Sequence, residues 1–284
     1  MRSLCLFAIT IGPLLGMAQA VADPLIEKVN TSLAAIANST DRIQQDSLNQ
    51  VVKKDLKELL GKANSASIPL DPLKMSKVEA SDKSFRLITW NLARENGSHQ
   101  FEGLLLHSKN GTNTLYELHD QTSSIASPEV SELTPDQWYG ALYYEVITVK
   151  KGGKTYYTLL GWKGYDRVET RKVIDVLHFK GGQPRFGAPI FGNGKLKRTR
   201  KVFNYSFQST MSLLYDPATS RIVFDHLSPS RADLEGQYAF YGPDMSYDAY
   251  IWENDHWEFQ RDIDARDRSR SGRPFNAPPP APEP

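Results

Sequence analysis

Two short segments near the end of the sequence hold the residue types that acid–base chemistry needs. Asp225 and His226 follow the apolar run at residues 222–224, and Asp244 and Asp248 flank a loop rich in turn residues. A histidine beside carboxylates can act as a general base, and grouped carboxylates can hold a hydrolytic metal ion. Asp225, His226, Asp244 and Asp248 are therefore the candidate catalytic residues. The alternative is that the aspartates cap turns and His226 makes a local hydrogen bond.

No motif around these residues names a reaction. Ser228 and Ser230 follow His226, but neither lies in the Gly-x-Ser-x-Gly turn that exposes a hydrolase nucleophile. The six histidines form no His-x-x-x-His pair, and Asp262-x-Asp264 is followed by Arg266 where a calcium loop needs an oxygen ligand. We therefore expect no metal site and no cofactor.

Aromatic residues are concentrated in the second half of the chain. Of the 30 Phe, Trp and Tyr residues, 24 lie between Trp138 and Phe259. Neighbouring residues of a strand point to opposite faces, so a doublet such as Tyr143-Tyr144 places one ring outward. Exposed Tyr and Trp suit glycan or peptide binding, because each has an apolar ring and a polar tip. Ordinary packing across both faces of a sheet is the alternative. The candidate ligand-binding residues are Trp162, Tyr165, Tyr241, Tyr247 and Trp252.

A basic run beside Gly192-Asn193-Gly194 is a weaker candidate. Its members are Lys195, Lys197, Arg198, Arg200 and Lys201. Lysines next to glycine backbone can hold a phosphate or an acidic sugar, but the rest of a phosphate-binding motif is missing. The pattern favours a solvated hairpin edge that its charges protect.

The bulk composition limits the classes of partner. The chain has 34 basic and 33 acidic residues, and Arg2 is the only charged residue among the first twenty, so the remainder has a net charge of zero. A neutral chain gives no general reason to bind nucleic acid or an anionic membrane. The one cysteine, Cys5, lies in those first twenty residues, so the rest can form neither a disulfide nor a thiolate site.

Residues 1–20 have the pattern of a signal peptide. Arg2 precedes an apolar run from Leu4 to Met17, and Ala18-Gln19-Ala20 provides the small residues of a cleavage site. The run is shorter than the roughly 20 residues that span a bilayer, and Gly12-Pro13 interrupts it. We expect cleavage, no later membrane-spanning helix, and a secreted or periplasmic protein.

Residues 21–62 are predicted to form one bent helix or a helical hairpin. Asp23-Pro24 is a favourable helix start, Asp41 can cap a second helix, and Gly61 is a natural stop. Apolar residues recur at steps of three and four, which predicts one apolar face for packing on the chain's own sheet or for assembly with a partner. Residues 63–83, rich in Ser, Ala, Pro and Asp, are predicted to be a linker.

Residues 84–265 are predicted to form a mainly β domain, an antiparallel meander of about twelve strands. Apolar runs alternate with turn pairs such as Asn96-Gly97, Asn110-Gly111 and Gly181-Gly182. Such short connections join antiparallel neighbours, because a parallel pair needs a long crossover. A sandwich or a barrel fits this pattern, and a small propeller is the alternative. The Pro-rich tail at residues 266–284 is predicted to be disordered.

Five segments of this domain carry a resemblance. They are Tyr-Thr-Leu-Leu-Gly-Trp-Lys-Gly at 157–164, Arg-Lys-Val-Ile-Asp-Val-Leu at 171–177, Met-Ser-Leu-Leu-Tyr-Asp at 211–216, Ile-Val-Phe-Asp-His-Leu at 222–227 and Gly-Pro-Asp-Met-Ser-Tyr-Asp at 242–248. Residues 85–265 thereby resemble uncharacterised exported proteins of Bacteroidetes-type bacteria. The resemblance implies a secreted or periplasmic bacterial protein and no particular activity.

Together these features predict an exported, non-enzymatic β protein. Its expected role is that of a binding or envelope-associated module whose aromatic surface takes a glycan or a peptide. The alternative is a hydrolase that acts on an extracellular polymer through the Asp and His residues named first. The sequence does not fix the oligomeric state.

Overall fold

The computed structural model describes residues 23–192 and 197–264. Two helices come first, α1 (Pro24–Asn38) and α2 (Arg42–Gly61). Each begins at an aspartate whose carboxylate accepts a backbone N–H two residues on, from Leu25 at 3.1 Å and from Ile43 at 2.9 Å. The predicted signal peptide at 1–20 and the predicted tail at 266–284 lie outside the described residues.

The described residues contain thirteen strands, which form three antiparallel sheets. They are β1 (Ser76–Glu79), β2 (Phe85–Ala93), β3 (His99–Lys109), β4 (Thr112–His119), β5 (Leu142–Lys151), β6 (Lys154–Gly164), β7 (Glu169–Lys180), β8 (Gln183–Phe186), β9 (Lys201–Ser206), β10 (Leu213–Asp216), β11 (Arg221–Pro229), β12 (Tyr241–Glu253) and β13 (His256–Gln260). Sheet I has the order β1-β2-β3-β4, and sheet III the order β10-β11-β12-β13. Sheet II has the order β5-β6-β7-β8, and β9 also pairs with β7. The predicted mainly β, antiparallel meander behind N-terminal helices is confirmed.

Tight turns join the hairpins, as their residue types require. Asn110 and Gly111 have φ of 50° and 77°, and Asn254 and Asp255 have φ of 49° and 63°. Two successive positive φ angles give a turn whose twist matches that of paired strands, and Asn, Asp and Gly adopt them at the lowest cost. The turns that the sequence marks are therefore the turns that set strand pairing.

The elements stack in four layers. The helices cover one face of sheet I, where Val29 and Leu56 pack with Trp90. The other face of sheet I packs on sheet II, and the far face of sheet II packs on sheet III. Helix packing on the protein's own sheet was one of the two roles predicted for the N-terminal apolar face.

This stacking decides between the predicted architectures. In a small propeller the sheets form a closed ring of blades, so the outer face of sheet I would have to contact sheet III. Helices cover that face instead. The sheets of the described residues also do not close into a barrel. The arrangement is the sandwich-like one of the alternatives.

Two local details differ from the sequence expectation. The segment interpreted as a linker contains β1, whose Val78 is buried against sheet II. Strand β8 ends at Phe186, whereas the apolar pattern extends to residue 191. The strand ends before Gly187, because the φ of +94° at Gly187 departs from the extended backbone. Only glycine fits there, because a Cβ would lie 2.6 Å from the Ser131 carbonyl oxygen. No helix within the described ranges is long and apolar enough to cross a membrane.

Candidate functional site

The candidate catalytic residues lie on sheet III, where β11 pairs with β12. The strand register is interrupted between Asp225 and Leu227, which places His226 at an irregularity in the ladder. His226 Nδ1 lies 2.7 Å from Asp248 Oδ2, and Asp248 Oδ1 accepts the Asp262 backbone N–H at 3.0 Å. A carboxylate that is itself held in place orients the imidazole, and Nε2 is then the nitrogen that can accept a proton.

Asp225 and Asp244 are engaged elsewhere. Asp225 Oδ2 accepts the Ser212 backbone N–H at 2.6 Å, which ties β11 to the start of β10. Asp244 accepts both the backbone N–H and the hydroxyl of Ser246, at 3.1 and 2.7 Å. The Ser246 hydroxyl bond lowers the pKa of Asp244 against the effect of burial, with lesser contributions from the Ser246 backbone N–H and the nearby imidazole. The structure thus pairs His226 with one carboxylate, Asp248, whereas Asp225 and Asp244 bond to other residues of sheet III and its connections.

A cavity of about 290 Å³, which we call the His226 cavity, adjoins the pair. Asp225, His226 and Asp248 line it, and Asp244 does not. Its remaining walls are mostly apolar and aromatic, with a single lysine: Lys201, Phe203, Phe224, Leu227, Tyr250 and Phe259.

The five candidate ligand-binding aromatics do not form one surface. Trp162 stands edge-on to His99 at 5.4 Å, and Trp252 packs edge-on against Trp257 at 5.3 Å. Tyr247 is exposed on β12. The other two, Tyr165 and Tyr241, contact residues that line a second cavity.

This second cavity, of about 570 Å³, lies between sheet II and the connection from β4 to β5. We call it the Tyr139 cavity, and its lining residues are Ser127, Pro128, Glu129, Val130, Tyr139, Arg171, Arg198, Val202, Asn204 and Tyr238. The guanidinium of Arg171 stacks over the Tyr165 ring at 3.6 Å, and Tyr238 lies 5.2 Å from Tyr241. Two of the rings predicted for ligand binding therefore contact residues of the cavity wall.

Beneath the cavity lies a buried amine. Lys163 is 2% exposed and donates to the Gly140 carbonyl at 2.6 Å. Its Nζ sits 4.4 and 4.7 Å from the rings of Phe101 and Tyr139. Burial lowers the pKa of Lys163 to about 8, with a further contribution from neighbouring arginines and against the opposing charge of Asp120.

A buried ion pair lies close to that amine. Arg200 and Asp175 are both fully buried, with Nε 2.9 Å from Oδ1. The Arg200 Nε–H makes no aligned hydrogen bond, so the contact is chiefly ionic. The guanidinium carbon lies 5.5 Å from the centroid of the Tyr139 ring. The prediction of a solvated edge is therefore wrong for Arg200, because its guanidinium is buried and paired with the carboxylate of Asp175.

No protein-family model matches this chain. No curated protein and no solved structure matches it either. The function is accordingly inferred from the two cavities and from the side chains that line them.

Sequence reasoning missed Tyr139, Arg171, Asn204 and Tyr238. One signal was present in the hairpin between β6 and β7, because its register sets Lys163 directly opposite Arg171. Like charges directly opposite each other on neighbouring strands are destabilising, so such a pair marks a position worth testing. Residues 23–192 and 197–264 contain no group of three or more His, Cys, Asp or Glu residues that could hold a metal ion.

Proposed function

We propose that the chain is an exported, non-enzymatic binding module, secreted or periplasmic, that holds a glycan in the Tyr139 cavity. The leader at residues 1–20 supports export. The observation that carries the binding role is the lining of the cavity, which brings the exposed Tyr238 together with Asn204 and Arg171. A volume of about 570 Å³ lies within the usual range for small-molecule sites.

Chemistry favours a sugar as the occupant. A sugar ring has apolar faces that stack on tyrosine and hydroxyl edges that need hydrogen-bonding groups. Tyr238, which is 40% exposed, offers the first, and Asn204 with Arg171 offers the second. The 3₁₀ turn Tyr238–Phe240 packs against β9, which obstructs the strand addition by which an extended peptide would bind at that edge.

The variant Tyr238→Ala is expected to weaken glycan binding about 3- to 10-fold, because one aromatic contact is lost. Tyr238 is 40% exposed, so the variant should fold normally. Isothermal titration of the full chain with cellopentaose, xylopentaose and oligogalacturonate would measure the change. Tyr247→Ala is the matched control, because Tyr247 is 38% exposed on sheet III, outside the cavity. Weaker binding in the control alone would move the binding surface to sheet III, and no binding of any sugar would refute the proposal.

The second candidate function is a hydrolase acting on an extracellular polymer through the His226 cavity. The observation that favours it is the 2.7 Å contact between His226 Nδ1 and Asp248 Oδ2 beside an open volume. An imidazole held in this way could activate a water molecule with Nε2.

If the chain is a hydrolase, His226→Ala should reduce its turnover about 10²- to 10⁴-fold, the range for losing a general base. Release of new reducing ends from xylan, pectin and β-glucan would measure this. His119→Ala is the control, because His119 is exposed on β4 and outside the cavity. Equal rates in the His226 and His119 variants, or no hydrolysis by the wild-type chain, would contradict this candidate.

A further inference from the structure

One row of side chains crosses sheet II beneath the Tyr139 cavity. In the strand register Lys163 on β6 lies opposite Arg171 on β7, and Arg171 lies opposite Asn204 on β9. Two cations facing each other across neighbouring strands repel, and both belong to a sheet that is largely buried. A fold keeps such a pair at a cost in stability, so a compensating negative charge is expected nearby.

The protein supplies a carboxylate to three cations around the Tyr139 cavity but not to Arg171. Lys163 has Asp120 at 3.8 Å, Arg200 has Asp175 at 2.9 Å, and Arg198 pairs with Glu129. Among the described residues no carboxylate pairs with Arg171. Its neighbours are the Tyr139 hydroxyl at 3.2 Å and the Tyr165 ring.

Arg171 also retains unused hydrogen-bonding capacity. Its Nε is buried and has no hydrogen-bond partner among the described residues. Stacking on Tyr165 fixes the plane of the guanidinium at the cavity wall. A guanidinium held at a cavity wall without a carboxylate of the protein can donate a charge-assisted hydrogen bond to the carboxylate of a ligand.

We propose that the Tyr139 cavity binds a uronic acid residue of an acidic glycan, with the sugar carboxylate on Arg171. This inference rests on the proposed function and names its ligand class. Asn204, directly across from Arg171, is placed to hydrogen-bond a hydroxyl of the same sugar, and Tyr238 stacks on its ring.

The test compares each acidic sugar with its methyl ester, which keeps the ring and removes the charge. Titrations at pH 7 would use trigalacturonate, trimannuronate and a hyaluronan tetrasaccharide, each against its ester, with tetraglutamate as an acidic peptide. The wild-type chain should bind at least one acid about 10- to 100-fold more tightly than its ester, the usual effect of a charged hydrogen-bonding pair. Arg171→Gln should abolish that preference.

Arg185→Gln is the matched control, because Arg185 lies on β8 of the same sheet and does not line the cavity. It should keep the preference for the acid. If Arg171→Gln fails to fold, the affinities of the wild-type chain for acid and ester still test whether the cavity prefers a sugar carboxylate. Equal affinity for acid and ester overturns this inference and leaves the proposed function standing, whereas no binding of any sugar overturns both. Tighter binding of tetraglutamate than of every sugar overturns the choice of a glycan.

Discussion

Replacing Asp175 with alanine is expected to lower the free energy of unfolding by about 3–5 kcal/mol, because it leaves a buried charge without its partner. Asp175 and Arg200 are fully buried, and Asp175 Oδ2 also accepts the Tyr143 hydroxyl at 2.8 Å. The substitution removes both interactions and leaves the guanidinium in an apolar layer between sheets I and II. Urea denaturation of the two proteins, followed by circular dichroism, would measure the difference.

Two further variants make this expectation specific. The double variant with Asp175→Leu and Arg200→Met should recover most of the lost stability, because a buried ion pair replaced by apolar residues of similar size is often neutral or better. Asp233→Ala removes a partner of Arg231 on the surface, where both side chains are exposed, and should not shift the midpoint. An unchanged midpoint in Asp175→Ala would show that the pair does not stabilise the fold.

Strand and turn positions could be predicted because they depend on local chemistry. Pairs such as Asn110-Gly111 occupy positive φ in the structure, and only a few residue types adopt it readily. Strand β1 was missed because it has four residues and one buried side chain, so its pattern is too short to detect.

The order of the layers could not be predicted, because it depends on contacts between distant segments. Thr158, Leu159 and Leu160 are consecutive and all fully buried, since sheet II has another sheet on each face. A continuous buried run is equally compatible with a central strand and with a helix core, so it does not name the neighbours. The same limit applies to the helices, whose apolar faces do not reveal which surface covers them.

The residues of the two cavities also differ in whether the sequence could identify them. His226 and Asp248 could be named from residue type, and they meet because β11 and β12 are neighbours in the meander. Arg171 could not be named, because its partner Tyr139 lies 32 residues away in a connection without regular strands. Arg171 lies in the polar stretch Glu-Thr-Arg-Lys at 169–172, so its sequence neighbours do not distinguish it from a surface cation.

The difference in unfolding free energy between the wild-type chain and a Lys163→Met variant should rise by about 1.4 kcal/mol per pH unit between pH 8 and 10. Burial lowers the pKa of Lys163 to about 8 in the folded chain, against 10.5 for an ordinary lysine. Between these values the unfolded chain holds a proton that the folded chain has released, so the stability of the wild-type chain increases with pH. Urea titrations at half-unit steps from pH 7 to 10 would measure the slope.

Comparison with the variant is needed because tyrosines act in the opposite direction. Burial raises the pKa of Tyr157 to about 12, so above pH 10 the unfolded chain loses a proton that the folded chain keeps. That loss of stability is common to both proteins and cancels in the difference. Lys154→Met, at the exposed start of the same strand, is the matched control. A flat profile for Lys163→Met would mean that the buried amine under the Tyr139 cavity titrates as an ordinary lysine.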